Sequence, residues 1–294
     1  MSDFSPEVRN SAIWATDAAR IVRGNGLSVV LEKQGKKEMD DLSQIEAIQM
    51  GHVMQPILLQ LASKRLGEEV EPFDLPATHR TEPWVRSHTD GRTGSALVEC
   101  KNLGIQQRKF FDEDKRIVPS YYRAQCVHEA LVFETDTVWM SVLIGGQEHL
   151  MIPLEISEQE KQEHLERIAT FWGHVKAGTT PDPVTLEECK LAYSVSAPAV
   201  ITATAEVERA AASLRSIKQD IKKLEEAEEA LQAQICAWMR DGDTLSTFAG
   251  EILATWKSAK ASKRFDAKLL QTAMPDIYNK FVVEQPGSRR FLLK

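Results

Sequence analysis

The sequence predicts an α/β domain followed by a long helix, and three patterns carry this prediction. Apolar runs typical of strands fall at residues 94–101, 136–144 and 148–155. Helical periodicity precedes and follows these runs. Residues 202–240 are rich in Ala, Glu, Leu and Lys and contain no Pro or Gly, which predicts one continuous helix of roughly 60 Å at about 1.5 Å per residue. Strands flanked by helices indicate an α/β core of about 180 residues.

Four helices are expected in the core from their periodicity and end signals, at residues 6–24, 43–66, 121–133 and 157–176. Stretches rich in Pro, Thr and Ser then interrupt the pattern. They divide the chain into a core at 1–183, a linker at 184–200 and a C-terminal module at 201–294. We expect the module to contain the long helix, a strand pair and a short helix.

Composition excludes several protein classes. The chain has 294 residues, of which 43% are hydrophobic and 27% charged, as in an ordinary soluble protein. No apolar stretch approaches the roughly 20 residues of a membrane span, and the N-terminus lacks the apolar core of a signal peptide. The four cysteines form no C-x-x-C pair, so a four-cysteine metal site is not expected. We expect the cysteines to be reduced thiols, as in a cytoplasm.

Charge is unevenly distributed along the chain. The formal net charge is −7, but residues 253–294 contain nine Lys or Arg against three acidic residues. The remainder of the chain is therefore strongly acidic. Because affinity for phosphate depends on local positive charge, a basic tail on an acidic body remains compatible with DNA binding.

The pattern D-x8-E-x-K, formed by Asp90, Glu99 and Lys101, is the main candidate for chemistry. Glu99 and Lys101 point to the same face of a strand, and Gly91 permits a turn that returns Asp90 to that strand. Two carboxylates and the Cys100 carbonyl can hold a hard divalent cation, and a lysine can orient its water and stabilise phosphate charge. A solvated ion pair on an exposed strand face is the alternative interpretation.

Polar residues also interrupt the apolar faces of two predicted helices. His52 and Gln55 lie on the face of the second helix that runs from Ile45 to Ala62. Tyr121, Gln125 and His128 share one face of the helix at 121–133. Buried polar groups need partners, which a polar cleft would supply. A histidine satisfied within the core is the alternative for His52.

The sequence resembles the phage-type recombination exonucleases of the YqaJ and lambda exonuclease family, within the PD-(D/E)XK nuclease superfamily. The ordered blocks that carry the resemblance cover residues 9–183: WATDAARIV, MGHVMQPILLQLASKRLG, SHTDG, ALVECKNLG, YYRAQCVHEALVF, VLIGGQ and FWGHVKAGTTPDP. The C-terminal module also resembles a tail that is attached to some family members. The resemblance implies a nuclease core with a central mixed sheet flanked by helices.

The resemblance also assigns roles to residues. It implies that Asp90, Glu99 and the Cys100 carbonyl bind Mg2+, for which Mn2+ can substitute, that Lys101 assists the attacking water, and that Gln125 flanks the site. Arg9 and Thr16 fall where the family binds a terminal 5′-phosphate. The family has a glutamate at the position of Gln55, and an amide is a poorer ligand for a hard cation. His52 or Glu46 is then expected to compensate, or else metal binding or activity is reduced.

The expected function is a Mg2+-dependent 5′-to-3′ deoxyribonuclease that resects linear duplex DNA for phage-type recombination. Expected partners are double-stranded DNA ends, a single-strand annealing protein and further copies of the chain, since family members can be ring-shaped trimers; no membrane is involved. The expected location is the cytoplasm of a bacterial host, with the gene carried by a phage or prophage. Two alternatives remain: a weakened nuclease fold that only binds DNA ends or single strands, and a structural protein dominated by the long helix.

Overall fold

The computed structural model describes residues 5–40, 43–73, 75–94, 96–283 and 287–294. The chain folds into two compact units, Met1–Ser194 and Val195–Lys294. Within the described residues, no helix is both long enough and apolar enough to cross a bilayer.

The first unit contains seven α-helices and eight strands among its described residues. The helices are α1 (Pro6–Asn10), α2 (Ala15–Val22), α3 (Gly26–Lys33), α4 (Glu46–Leu66), α5 (Ser120–Phe133), α6 (Glu158–Ala177) and α7 (Leu186–Ala192). The strands are β1 (Ile13–Trp14), β2 (Glu71–Pro72), β3 (Ala77–Thr78), β4 (Val85–Ser87), β5 (Gly91–Thr93), β6 (Ala96–Leu103), β7 (Thr137–Ile144) and β8 (Glu148–Glu155). A 3-10 helix spans Ile105–Phe110.

The central sheet has the strand order β2-β5-β6-β7-β8. Strands β6 and β7 are parallel and are joined through α5, whereas β5 pairs antiparallel with β6, and β8 antiparallel with β7. Gly145 and Gly146, both at positive φ, form the β7–β8 turn as predicted. A mixed sheet flanked by helices confirms the predicted α/β fold. Of the strand predicted at 94–101, Ser95 lies outside the described residues.

Helices α4 and α5 cover opposite faces of this sheet. Val98 and Cys100 pack with Leu58 and Ala62 of α4 in one buried cluster. The alternate residues of the same strands, with Leu97 on β6, pack with α5 in another. A third cluster joins the outer side of α5 to α2, α3 and α6. Side chains that alternate along β6 therefore enter two different environments.

Two predicted elements differ from the structure. The helix expected at 6–24 is interrupted by β1, because Ile13 and Trp14 pair with β4 in a parallel arrangement within a three-stranded sheet. Residues 184–194, predicted as linker, belong to the first unit and contain α7. There the buried Glu188 accepts hydrogen bonds from the N–H groups of Leu27 (2.7 Å) and Val184 (2.9 Å). These bonds hold α7 against the start of α3.

The second unit contains the long helix α8 (Ala205–Met239), a hairpin of β9 (Thr244–Ser246) and β10 (Ile252–Thr255), and two short helices, α9 (Ala267–Ala273) and α10 (Pro275–Lys280). Thr204 begins α8, since its side chain accepts a hydrogen bond from the N–H of Val207. The structure confirms the predicted long helix and strand pair, and places two short helices where one was expected.

Candidate active site

The turn between β4 and β5 fixes Asp90 against the neighbouring strand. Gly91 pairs with Val98 in the antiparallel β5–β6 ladder. A Cβ atom at Gly91 would lie 2.7 Å from a methyl group of Leu59 and 3.0 Å from the Glu71 carbonyl oxygen, so only glycine allows this approach. The Asp90 carboxylate accepts a hydrogen bond from the Cys100 N–H at 2.7 Å. The predicted return of Asp90 to the Glu99 strand is thus confirmed.

Glu99 and Lys101 lie side by side on the face of β6 that α5 covers. The Lys101 Nζ atom is 2.5 Å from Glu99 Oε1. Glu99 is only 4% exposed, and 20% of the Lys101 side chain is accessible. The alternative of a solvated ion pair is therefore wrong. A buried carboxylate held beside an ammonium is an arrangement typical of functional sites.

Helix α5 adds two residues to this cluster, of which the sequence predicted one. Gln125 Nε2 donates to Glu99 Oε1 at 2.5 Å and to Glu129 Oε1 at 3.1 Å. Glu129, which the sequence analysis missed, is fully buried, and its Oε2 atom has no hydrogen-bond partner among the described residues. Its spacing of four residues from Gln125 was the available signal, since such residues share a helix face.

Burial and mutual repulsion perturb the carboxylates of the cluster. Burial, followed by the negative charge of Glu99, raises the pKa of Asp90. The same two causes raise the pKa of Glu129 well above its usual value. Burial alone would lower the pKa of Lys101, but the charge and hydrogen bond of Glu99 outweigh it and raise that pKa. The site is crowded with negative charge that one ammonium balances only in part.

The donor set fits a magnesium ion. Asp90 and Glu99 would supply carboxylate oxygens. The backbone carbonyl of Cys100, the residue after Glu99, would supply a third oxygen. Among the described residues, no three His, Cys, Asp or Glu side chains are grouped as a preformed metal cage. Mg2+ is commonly held by one or two carboxylates while it retains water and binds substrate phosphate, so two carboxylates suffice.

Among the described residues, the predicted residues of α4 form no hydrogen bond with this cluster. The buried side of α4 is formed by Leu58, Leu59 and Ala62, on the sheet face opposite Glu99. His52 is exposed and Gln55 is half-buried, so the interpretation of His52 as a core histidine is wrong. The predicted stripe is buried at Leu59 and Ala62, in the second half of α4, whereas residues 46–57 of the helix are exposed or half-buried.

Glu46, the other predicted source of compensation, is exposed in the first turn of α4. In the part of the chain that the structure describes, no hydrogen bond joins Glu46, His52 or Gln55 to Asp90 or Glu99. A role for any of the three in metal binding stays a prediction.

The polar face expected on α5 is divided between two environments. Gln125 belongs to the cluster with Glu99. His128 instead lies 3.1 Å from His164 and 3.0 Å from the Arg86 carbonyl oxygen, as a satisfied core histidine. Tyr121 lies under the Arg23 guanidinium, 4.2 Å from the ring centroid.

The two residues predicted to bind a 5′-phosphate are neighbours. Arg9 Nη2 donates to Thr16 Oγ1 at 2.8 Å, and a quarter of the Arg9 side chain is exposed. Beside them, Lys33 Nζ forms a buried ion pair with Asp17 at 2.6 Å and donates to the Arg9 carbonyl oxygen. The backbone of Arg9 is therefore fixed while its guanidinium stays accessible.

Comparison with known proteins finds one family model that matches part of the chain and several solved structures of low similarity. Residues 6–137 match the family model of the YqaJ-like viral recombinase domain. No curated protein matches the chain.

Among solved structures, an alkaline exonuclease from Laribacter hongkongensis is 13% identical, with 58% of this chain and 91% of that chain covered at a TM-score of 0.48. A phage-related exonuclease from Haemophilus somnus is 10% identical, with 54% and 81% covered at a TM-score of 0.42. A structure described as a putative exonuclease from Eubacterium rectale is 13% identical, with 68% and 94% covered at 0.42.

Proposed function

We propose that this chain, which carries a YqaJ-like viral recombinase domain at residues 6–137, is a Mg2+-dependent deoxyribonuclease that degrades linear duplex DNA from its ends. The observation that carries the proposal is the convergence of Asp90, Glu99 and Lys101 at the β5–β6 ladder. A buried carboxylate paired with an ammonium, and a second, partly buried carboxylate on the neighbouring strand, supply the groups that metal-assisted phosphodiester hydrolysis uses.

Asp90, Glu99 and the Cys100 carbonyl would hold the metal. When bound, Mg2+ supplies Lewis-acid polarisation of the scissile phosphate and a more acidic water. The Cys100 N–H holds the Asp90 carboxylate in place, and Lys101 and Gln125 both donate to Oε1 of Glu99. The protein therefore positions both carboxylates before any substrate binds, which lowers the reorganisation needed for reaction.

Lys101 and Gln125 would act on the water and the phosphate. Because its pKa is raised, Lys101 keeps its proton at neutral pH. It thus serves as a positive charge and hydrogen-bond donor for phosphate oxygens, and not as a general base. Gln125 contributes one donor, shared between Glu99 and Glu129, that orients groups around Glu99.

We propose 5′-to-3′ polarity on the basis of the Arg9 and Thr16 pair. A partly exposed guanidinium beside a hydroxyl is a suitable anchor for a terminal phosphate, although Asp17 lies 4.0 Å from the same guanidinium. The α2 end approaches the site through an aromatic path, since Arg23 lies over Tyr121, Tyr121 contacts Tyr122, and Lys101 Nζ is 5.4 Å from the Tyr122 centroid. A DNA end held at Arg9 would follow this path to the metal.

The match to the YqaJ-like viral recombinase domain supports a proposal for the biological setting. We propose that the enzyme acts in the cytoplasm of a bacterial host, is encoded by a phage or prophage, and supplies single strands to an annealing protein. In this proposal the nuclease core is the first compact unit. Mn2+ is expected to support the reaction when it substitutes for Mg2+.

Duplex DNA labelled at one 5′ or one 3′ end tests the proposal. With Mg2+, we expect a 5′-phosphorylated linear duplex to be degraded from the 5′ end, while EDTA stops the reaction and a covalently closed circle survives. Binding of the same duplex without degradation would support the alternative of a nuclease fold that only binds DNA. Arg9→Ala should slow degradation of 5′-phosphorylated ends more than that of 5′-hydroxyl ends.

A further inference from the structure

The outer surface of α8 carries an apolar stripe that the described residues of its own unit leave largely uncovered. Seven large apolar side chains of α8 are exposed, including Leu224 at 70% and Trp238 at 79%. Single exposed apolar residues are ordinary, but a continuous row along one helix marks an interaction surface. This stripe has no part in the proposed nuclease site.

The stripe follows a strict heptad spacing of alternating three and four residues over the whole helix. Its a positions are Val207, Leu214, Ile221, Glu228 and Ile235. Its d positions are Ala210, Ile217, Leu224, Leu231 and Trp238. Such spacing keeps one seam facing a partner helix and is the pattern of a coiled coil. The stripe occupies nearly the full 35 residues of α8, about 52 Å at about 1.5 Å per residue.

Charge along α8 is divided into two adjacent segments. The first, residues 215–223, carries four basic residues against one acidic residue, Asp220; the basic residues are Arg215, Lys218, Lys222 and Lys223. The second, residues 225–229, carries four glutamates and no basic residue. A parallel second helix would place like charges opposite each other in both segments. An antiparallel helix would place each segment opposite its complement.

We propose that α8 forms an antiparallel coiled coil with α8 of a second copy of this chain. The two helices run in opposite directions, and the point midway between Lys222 and Lys223 of one copy lies beside the same point of the other. In this alignment every a position faces a d position. Leu214 then faces Leu231 of the second copy, Ile221 faces Leu224, and Val207 faces Trp238. The centre of the stripe nearly coincides with the centre of α8, so both stripes are covered along their full length.

The antiparallel arrangement also accounts for Glu228, the one acidic residue in the stripe. In a parallel pair, Glu228 would face Glu228 of the second copy in a buried seam, which is costly. In the antiparallel pair, Glu228 faces Ile217 and lies next to Lys218 of the second copy. A polar residue at an a position commonly fixes the register and orientation of a coiled coil. Segments 215–223 and 225–229 also lie opposite each other, which favours the same orientation.

Mass in solution tests the pairing. Full-length protein should contain an even number of 33.0 kDa chains, and Ile221→Lys/Leu224→Lys should halve the measured mass. Ser216→Lys/Gln219→Lys is the matched control, since it adds two lysines at the same spacing on the opposite, exposed side of α8, and its mass should equal that of wild type. A monomeric wild type, or a mass unchanged by Ile221→Lys/Leu224→Lys, would overturn the proposal.

Cysteine cross-linking tests the orientation. Cys189 and Cys236 are replaced by serine, while the buried Cys100 and Cys126 remain. Leu214→Cys and Leu231→Cys proteins should each fail to cross-link alone and should cross-link when mixed and allowed to exchange. Cross-linking of each variant with itself, and not between them, would show a parallel pair and contradict the proposed orientation.

Discussion

Helices α4 and α5 cover opposite faces of one sheet and carry similar polar pairs, a glutamine and a histidine three residues apart. On α5, Gln125 and His128 are buried, and both have partners at hydrogen-bonding distance. On α4, His52 is exposed and Gln55 is only half-buried. The difference shows that helical spacing identifies a shared face, whereas the neighbouring strand decides whether that face contributes to chemistry. The charged side chains of β6 point toward α5 alone.

The largest expected effect comes from the charged face of β6. Glu99→Ala should lower the rate of duplex degradation by at least about 10³-fold, because it removes a metal ligand and the partner of both Lys101 and Gln125. Asp90→Ala and Lys101→Ala should do the same, and combined variants should lose little more, since these residues act as one unit.

His52→Ala on α4 is the control for these three variants and should retain most activity. If His52→Ala lost as much activity as Glu99→Ala, α4 would contribute to the metal site and the contrast between the helices would fail. Circular dichroism spectra of all four variants would show whether the fold is retained.

The buried His128 of α5 should make the stability of the protein depend on pH. Burial lowers the pKa of His128 to about 4, so between about 6.5 and 4 the unfolded chain binds a proton that the folded chain does not. Stability should therefore fall as pH decreases through this window, by roughly 3 kcal/mol at 1.36 kcal/mol per pKa unit.

Urea unfolding of wild type at a series of pH values measures this loss. A His128→Gln variant is less stable at neutral pH but should show a shallower pH dependence below 6.5. Equal pH slopes for wild type and His128→Gln would show that His128 is not the group responsible.

A smaller effect is expected from the glutamine of α5 and its carboxylate partner. Gln125→Leu should lower activity by roughly 10- to 100-fold, the usual range for groups that orient metal ligands. Glu129→Leu removes an acceptor of Gln125 and should also lower activity, by less than Gln125→Leu does. Glu129→Gln should retain more activity than Glu129→Leu, because the raised pKa of Glu129 favours its neutral form, which an amide resembles.

Steady-state rates of the Gln125 and Glu129 variants, each measured across Mg2+ concentrations, would separate lost metal affinity from a lost catalytic step. A Glu129→Leu variant as active as wild type would mean that Gln125 is positioned by Glu99 alone.

The smallest effect is expected from the glutamine of α4. If Gln55 approaches the metal, Gln55→Glu adds a hard ligand and should shift the Mg2+ dependence of the rate to lower concentration by a few-fold, roughly 1 kcal/mol or less. Gln60→Glu, at an exposed position of the same helix, adds the same charge away from the buried face. Identical Mg2+ titrations for the Gln55→Glu and Gln60→Glu variants would place Gln55 outside the metal site.

The sequence by itself determined the features that depend on local geometry. Strand alternation placed Glu99 and Lys101 on one face, and Gly91 marked the turn that brings Asp90 to them. Helical spacing placed Gln125 toward the sheet. The absence of Pro and Gly, together with helix-forming residues, predicted α8. In each case the controlling interactions are sterics and periodicities that act within a few residues.

Only the tertiary structure decided which faces meet. Burial of α4 is confined to its second half, where Leu58 and Leu59 pack in one cluster with β6, and His52 in the first half stays exposed. The break after α1 follows from the pairing of β1 with β4, more than 70 residues away along the chain. Glu129 joins the site because α5 crosses over the charged face of β6. These outcomes depend on contacts between distant segments, whose burial outweighs the local preferences visible in a single sequence.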